Sequence, residues 1–450
     1  MEVLQKKLIL IKFVSKAEKI NGVISLPGDK SISHRAMLLN SMSNGSAVIS
    51  NFCQGDDRSA MISCLNGLGI NIQKVRPNDS RYVNDTFLVE GASNSNLSKP
   101  ERILDAGNSG TTFRLVSGML ATHAFESTIT GDDSLRNRPM DRIINPLTKM
   151  GAQIRGLNNN SFAPLTIHGG GLSGIEYIMP VASAQVKSCI MIAGMKASGA
   201  TTIIQPELSR DHTERMLKAM GADITIDNLS IKINPSNLFA LDIIVPGDIS
   251  GAAFWMVLAS CHPDASITLK RVGLNPSRTG VIEVLRLMGA SIKLSNIGEE
   301  AGEPFGDIKI QSGDLSGIVI EGDLIPRVID EIPILALAAC FAKGKTIIKD
   351  AGELRLKESD RISATVDGLS KLGANIKETT DGMIINRSKN LVGASVDSFN
   401  DHRIAMTMGI AGALSSGTTE INRADANMIS YPAFWEQLSN LTTKSANTGN

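Results

Sequence analysis

The sequence predicts an α/β protein of two domains, built from one strand-and-helix unit used six times, with helices inside and sheets outside. Three observations carry this. A helix end followed by a strand recurs as Leu-x-x-(Leu/Met)-Gly-x-x-Ile at Leu65 to Ile72, Leu147 to Ile154, Leu217 to Ile224, Leu285 to Ile292 and Leu369 to Ile376. A polar turn opening an apolar helix rich in small residues precedes each, at Lys30-Ser31, Asn108-Ser109, Ser183-Ala184, Asp248-Ile249-Ser250 and Asp330-Glu331. A sixth such turn opens at Asp401-His402, and its following fragment Phe434 to Leu441 lacks the glycine. Leu26-Pro27-Gly28-Asp29-Lys30-Ser31 is also echoed by Val245-Pro246-Gly247-Asp248-Ile249-Ser250, which marks two crossovers between domains. The expected domains are 27–246, holding three repeats, and 1–26 plus 247–450, holding the other three.

Composition narrows the class. Lys+Arg 45 against Asp+Glu 45 gives no net charge, so nothing in the balance calls for nucleic acid or a membrane surface, and any basic site must be local. The five cysteines form no C-x-x-C pair and lie mostly in apolar stretches, as reduced core residues of a cytoplasmic protein do. Leu8-Ile9-Leu10-Ile11 is flanked by lysines and is too short for a signal peptide. The longest apolar run, Ile332 to Ala342, falls short of the roughly 20 residues of a membrane helix.

Taken in order, the first repeat opens on Val23-Ile24-Ser25-Leu26, a strand, then Gly28-Asp29-Lys30-Ser31-Ile32-Ser33-His34-Arg35, a turn into a helix. Gly28 admits close backbone approach, Ser31 or Ser33 can cap the helix, and Lys30 and Arg35 add charge, so the turn suits an anion. In the second repeat Asn108-Ser109-Gly110-Thr111-Thr112-Phe113-Arg114 opens a helix, and Arg136-Asn137-Arg138-Pro139-Met140 follows. The third has Ser183-Ala184-Gln185-Val186-Lys187-Ser188 and Arg210-Asp211-His212. The fifth has Asp330-Glu331 and Lys357-Glu358-Ser359-Asp360-Arg361, and the sixth Asp401-His402-Arg403. The helix Ile332 to Ala339 is apolar on nearly every face and belongs inside a domain. Glycines 69, 151, 221, 289 and 373 fall where a left-handed residue would end a helix. Collected, the turns offer cations, hydroxyls and a few carboxylates, the lining expected for substrates with several phosphates or carboxylates plus acid–base groups. The acidic pairs Asp56-Asp57 and Asp132-Asp133 lack nearby His or Cys at ligand spacing, so no metal is expected, and no cofactor.

These eight motifs, in this order over residues 20 to 435, closely resemble the 5-enolpyruvylshikimate-3-phosphate synthases, in the branch called class II. The resemblance implies the two-domain inside-out enolpyruvyl-transferase fold, six βαβαββ repeats with buried helices and an active site in the inter-domain cleft. It implies transfer of the enolpyruvyl group of phosphoenolpyruvate to the 5-hydroxyl of shikimate 3-phosphate, releasing phosphate through a tetrahedral intermediate. By the same resemblance Lys30, Ser31, Arg35, Ser183, Ala184, Gln185 and Arg210 bind shikimate 3-phosphate, with Asp330 and Lys357 on the ring hydroxyls. Lys30, Gly110, Arg138, Gln185, Arg361 and Arg403 bind phosphoenolpyruvate. Asp330 is the expected base, and Glu358 and Lys30 are the two candidates for the acid that protonates the methylene carbon. The partners implied are these small molecules alone, with neither nucleic acid nor membrane, for a cytoplasmic monomer.

The chain departs from the family pattern at Met428-Ile429-Ser430-Tyr431-Pro432, where many members carry a lysine shortly before the aromatic-Pro pair. Some class II members have alanine at the position of Gly110, where the extra methyl obstructs glyphosate, so Gly110 predicts sensitivity. The related transferase acting on a UDP-amino sugar uses a loop cysteine, and none of the five cysteines here sits in a polar Arg/Gly-rich loop. A nucleic-acid-binding protein on similar modules would need a basic stripe or stacking aromatics, and aromatics make up only 4% of the chain.

Overall fold

The computed structural model describes residues 10–76, 82, 85–92 and 97–443. Leu8 and Ile9 of the apolar N-terminal run lie outside them. Contacts divide the chain into two compact units. One, the mid-chain unit, is Pro27–Pro246 with Glu299–Pro304; the other, the terminal unit, is Met1–Leu26, Gly247–Gly298 and Phe305–Asn450. Among the described residues no helix is long and apolar enough to cross a membrane.

Each repeat becomes one small sheet with its helices. Among the described residues five sheets have four strands and one has three. In the mid-chain unit, Asn44–Ser50, Thr86–Ala92 and Asn71–Val75 form an antiparallel meander of pairings. Ile243–Ile244 joins it in parallel along Ile49 and Ser50. In the terminal unit Ile20–Ser25 likewise runs parallel to Ala265–Gly273. Each of these strands therefore stays in the unit it came from while the helix that follows it in sequence, Lys30–Ser41 or Ile249–Cys261, belongs to the other. The sixth repeat is completed by the other end of the chain: Lys12–Ser15 pairs antiparallel with Thr418–Asn422, which also carries Ser395–Asp397 in parallel.

The helix ends follow one rule. At all five sequence repeats a Leu or Met is the C-cap and the next residue is glycine with positive φ, from +86° at Gly373 to +112° at Gly151. In each, the amide after the glycine donates to the carbonyl five residues before it, as Ala374 N to Leu369 O (3.0 Å), the Schellman pattern. The first-turn helices are buried on most faces: Ile249–Cys261 is buried at every residue but the last, and Trp255, Phe254 and Phe434 stack in the terminal unit's core. Burying one such ring contributes about 2 kcal/mol. In the mid-chain unit Gly110–Leu120 and Ala184–Gly194 touch backbone to backbone: a Cβ on Gly118 would lie 2.5 Å from the Cys189 carbonyl oxygen. The cysteines are free, four of them buried.

One local expectation is corrected. Neither Ser31 nor Ser33 caps the first helix; Asp29 does, its Oδ1 accepting from Ile32 N at 3.0 Å. Ser33 is drawn inward, where its hydroxyl accepts from Cys53 N at 2.9 Å. A carboxylate at the N-cap outranks a hydroxyl one turn inside because it meets both the free amides and the positive helix end.

Candidate active site

In the mid-chain unit three helix N-termini carry the predicted residues. Lys30 is the first residue of Lys30–Ser41, and its ammonium pairs with Asp57 at 2.9 Å. Asp57 was one of the acidic pair considered for a metal; its role is to hold this lysine. Asp132, of the other pair, caps Asp133–Arg136 and accepts from Asn108. Among the described residues no cluster of three His, Cys, Asp or Glu side chains could hold a metal ion.

Arg35 lies one turn further in, only 3% exposed. Its Nε donates to Thr213 Oγ1 (2.6 Å), Nη2 to Ser188 Oγ (2.8 Å) and Nη1 to the Ser31 carbonyl (3.0 Å). Burial lowers its pKa to about 10 against the pull of Glu214, Asp29 and Glu303, and the like charge of Arg210 adds to the lowering. Arg35, Ser31 and Arg210 therefore share one neighbourhood. Ser188 Oγ donates on to Ala184 O at 2.6 Å, in the first turn of a helix capped by Ser183.

Gln185, from that same turn, faces the second repeat. Its Oε1 accepts from Arg114 Nη1 at 2.5 Å and its Nε2 donates to Thr111 Oγ1 at 2.9 Å, which fixes the amide's orientation. Arg114 is pushed down to about 10 by burial, helped by the like charges of Arg138 and Arg142. Arg138 bonds to neutral partners, Asn108 Oδ1 (2.7 Å) and Ser134 Oγ (3.2 Å). A Cβ on Gly110 would lie 2.8 Å from Arg114 Nη1 and 3.5 Å from Arg138 Nη1. Two arginines thus gather at a helix N-terminus around a glycine, a place of positive potential that suits an anion. Lys187 and Glu214 form a buried pair at 2.5 Å.

In the terminal unit the centre is Arg361, 1% exposed and ringed by three carboxylates. Its Nε donates to Asp401 Oδ2 (2.8 Å), Nη2 to Glu358 Oε2 (2.6 Å) and Nη1 to Asp330 Oδ1 (3.3 Å). These carboxylates raise its pKa although burial opposes them. Arg403 approaches Asp330 at 4.0 Å and Glu331 at 3.5 Å. Asp401 serves twice, accepting also from Arg403 N at 2.8 Å as cap of His402–Leu414. Asp330, Glu358, Arg361 and Arg403 therefore form one cluster. Lys357 pairs instead with Glu353 at 2.9 Å. At the family's missing lysine, Tyr431 is buried and accepts from Trp255 Nε1 at 3.1 Å.

Asp57, Arg114, Ser188, Thr213 and Asp401 had no assigned role in the sequence reading. Arg114 and Ser188 sit inside quoted motifs, and Asp401 stands at the position of Asp29 and Asp248 in the repeat, so the repeat register could have found it. Thr213 and Asp57 reach the site only by tertiary packing.

The model of the EPSP synthase family, 3-phosphoshikimate 1-carboxyvinyltransferase, matches residues 14–438. Proteins named 3-phosphoshikimate 1-carboxyvinyltransferase from Gloeothece citriformis and from Bacillus cereus strain B4264 are each 48% identical, over 426 and 423 residues. The first alignment covers 94% of both chains, the second 94% of this chain and 97% of the relative. The solved EPSP synthase of Acinetobacter baumannii superposes with a TM-score of 0.88 at 40% identity, covering 96% of this chain and 98% of that one.

Proposed function

Because this chain belongs to the EPSP synthase family and moves the enolpyruvyl group of phosphoenolpyruvate to shikimate 3-phosphate with release of phosphate, toward aromatic amino acids, we propose how its side chains divide that chemistry. Ser31, Arg35, Ser183, Ala184, Gln185 and Arg210, with Lys30, take the phosphate end of shikimate 3-phosphate, and Asp330 and Lys357 take its ring hydroxyls. Lys30, Gly110, Arg138, Gln185, Arg361 and Arg403 take phosphoenolpyruvate, whose carboxylate and phosphate suit forked guanidinium donors. Asp330 accepts the proton of the 5-hydroxyl as its oxygen bonds to the central carbon of phosphoenolpyruvate. Glu358 or Lys30 delivers a proton to the methylene carbon. The tetrahedral adduct then loses phosphate as the carbon–oxygen bond breaks and a methyl proton leaves, restoring the double bond. Charge that develops on phosphate is met by cations already fixed by their partners, so little reorganisation is needed.

The observation that carries this reading is Asp330 held between two guanidiniums, Arg361 at 3.3 Å and Arg403 at 4.0 Å, which puts a proton acceptor beside anion ligands. The enzyme acts as a cytoplasmic monomer on these small molecules, without nucleic acid, a reading supported by its free cysteines and neutral charge. Phosphate release from phosphoenolpyruvate, with and without shikimate 3-phosphate, tests the reaction: release that needs both is expected. Asp330→Asn should then lower kcat by on the order of a hundredfold or more. Near-normal turnover would overturn the base assignment.

A further inference from the structure

The turn Gly247-Asp248-Ile249-Ser250 echoes Gly28-Asp29-Lys30-Ser31, yet no substrate role falls to it. Its surroundings supply another. Ser250, 2% exposed, donates its hydroxyl to Glu331 Oε1 in a short hydrogen bond. Arg278 Nη2 donates to that hydroxyl oxygen at 2.6 Å and lies 3.5 Å from Asp248 Oδ1. Glu331 is itself 1% exposed, next to Asp330, at the N-cap of Ile332–Phe341. The same Oε1 faces Arg403 Nη1 at 3.5 Å, while Glu331 Oε2 and Arg403 Nε are buried without a hydrogen-bond partner among the described residues. Arg278, Ser250, Glu331 and Arg403 therefore form one polar chain, guanidinium to hydroxyl to carboxylate to guanidinium, closed to water at one end. At the other end the Arg403 side chain keeps 13% of its surface exposed.

A buried carboxylate without full compensation is costly, so its retention needs a gain. We propose that Glu331 is a positioning residue for phosphoenolpyruvate: seated by Ser250 and Arg278, it holds Arg403 from behind and aims the guanidinium fork at an anionic group of that substrate. Asp330 lies 4.0 Å from Nη2 and Glu331 3.5 Å from Nη1, so two neighbouring carboxylates attract the two arms of the fork by charge. Loss of one lets the guanidinium rotate, and bidentate recognition needs the plane. The inference rests on the assignment of Arg403 to phosphoenolpyruvate.

Steady-state kinetics of the full-length enzyme test it. Glu331→Gln keeps size and one hydrogen bond but removes the charge; KM for phosphoenolpyruvate should rise roughly tenfold while KM for shikimate 3-phosphate stays within about twofold. Ser250→Ala, which leaves the carboxylate in place but unseated, should raise the phosphoenolpyruvate KM about threefold while KM for shikimate 3-phosphate stays within about twofold. It also decides the matter if Glu331→Gln does not fold. Adding Glu331→Gln to Arg403→Lys should cost little more than Arg403→Lys alone, since the two act as a unit. If Arg403→Lys raises the phosphoenolpyruvate KM but Glu331→Gln and Ser250→Ala leave it unchanged, Glu331 is structural only and the proposal falls. If Arg403→Lys itself leaves that KM unchanged, the assignment of Arg403 fails and the proposal falls with it.

Discussion

At Gly110 a methyl group would meet charge, because the space it would take lies 2.8 Å from one guanidinium and 3.5 Å from another. The wild-type enzyme should be inhibited by glyphosate in competition with phosphoenolpyruvate, and Gly110→Ala should raise the inhibition constant by on the order of tenfold or more. An inhibition constant that does not change in the alanine variant would argue against it. His402 offers a test by pH. Burial pushes its pKa down from 6.5 to about 4, with Arg403 and Arg361 adding to the lowering against the pull of Asp401 and Glu358. Its folded form resists protonation, so stability is full above the unfolded pKa and falls as pH drops toward the folded one. Between about pH 7 and pH 5 this residue alone should remove about 2 kcal/mol, and denaturant titrations of wild type and His402→Asn should diverge over that window. Motifs made the local placement of Lys30, Gln185 and Arg361 legible, each in the first turn of a helix. Asp57 and Thr213 were not, since each meets its partner only through packing of segments distant in sequence.

Helix ends are where this sequence is most readable. Leu-x-x-(Leu/Met)-Gly-x-x-Ile encodes a cap, a left-handed residue and the next strand in eight letters, and all five copies adopt that geometry. Gly373 isolates the backbone effect, because the atom nearest an added Cβ is Asn390 O at 3.8 Å, ordinary contact, while φ is +86°. Gly373→Ala should therefore cost about 1 kcal/mol of stability by equilibrium unfolding, with activity unaffected. The N-terminal ends were read less well. Ser31 and Ser33 look like caps by residue type, but Asp29 takes the cap and Ser33 turns inward to Cys53.

Over the whole molecule, six repeats and the α/β class were legible because period and capping recur. The excursion at 299–304 was not, because Glu299-Glu300-Ala301-Gly302-Glu303 has the look of a solvated turn. In fact the hairpin of Ser291–Glu300 and Glu303–Gln311 is rooted in the terminal unit, while its tip is part of the mid-chain unit. There Glu303, 1% exposed, meets His212 Nδ1 through its Oε1 at 2.8 Å, and Gly302 O accepts from Arg215 Nη1 at 3.1 Å. Glu303→Ala should lower stability by about 1–3 kcal/mol, measured by denaturant unfolding. The interleaved strands also dictate an order of events during synthesis on the ribosome. Strands Lys12–Ser15 and Ile20–Ser25 emerge first, but their partners, Thr418–Asn422 and Ala265–Gly273, are made much later. The mid-chain unit has its last piece once Pro304 is out, whereas the terminal unit keeps Lys12–Ser15 unpaired until Thr418–Asn422 is made. Translation thus builds the later-starting unit first, and chaperones that shield nascent strand edges have their longest task at the N-terminus.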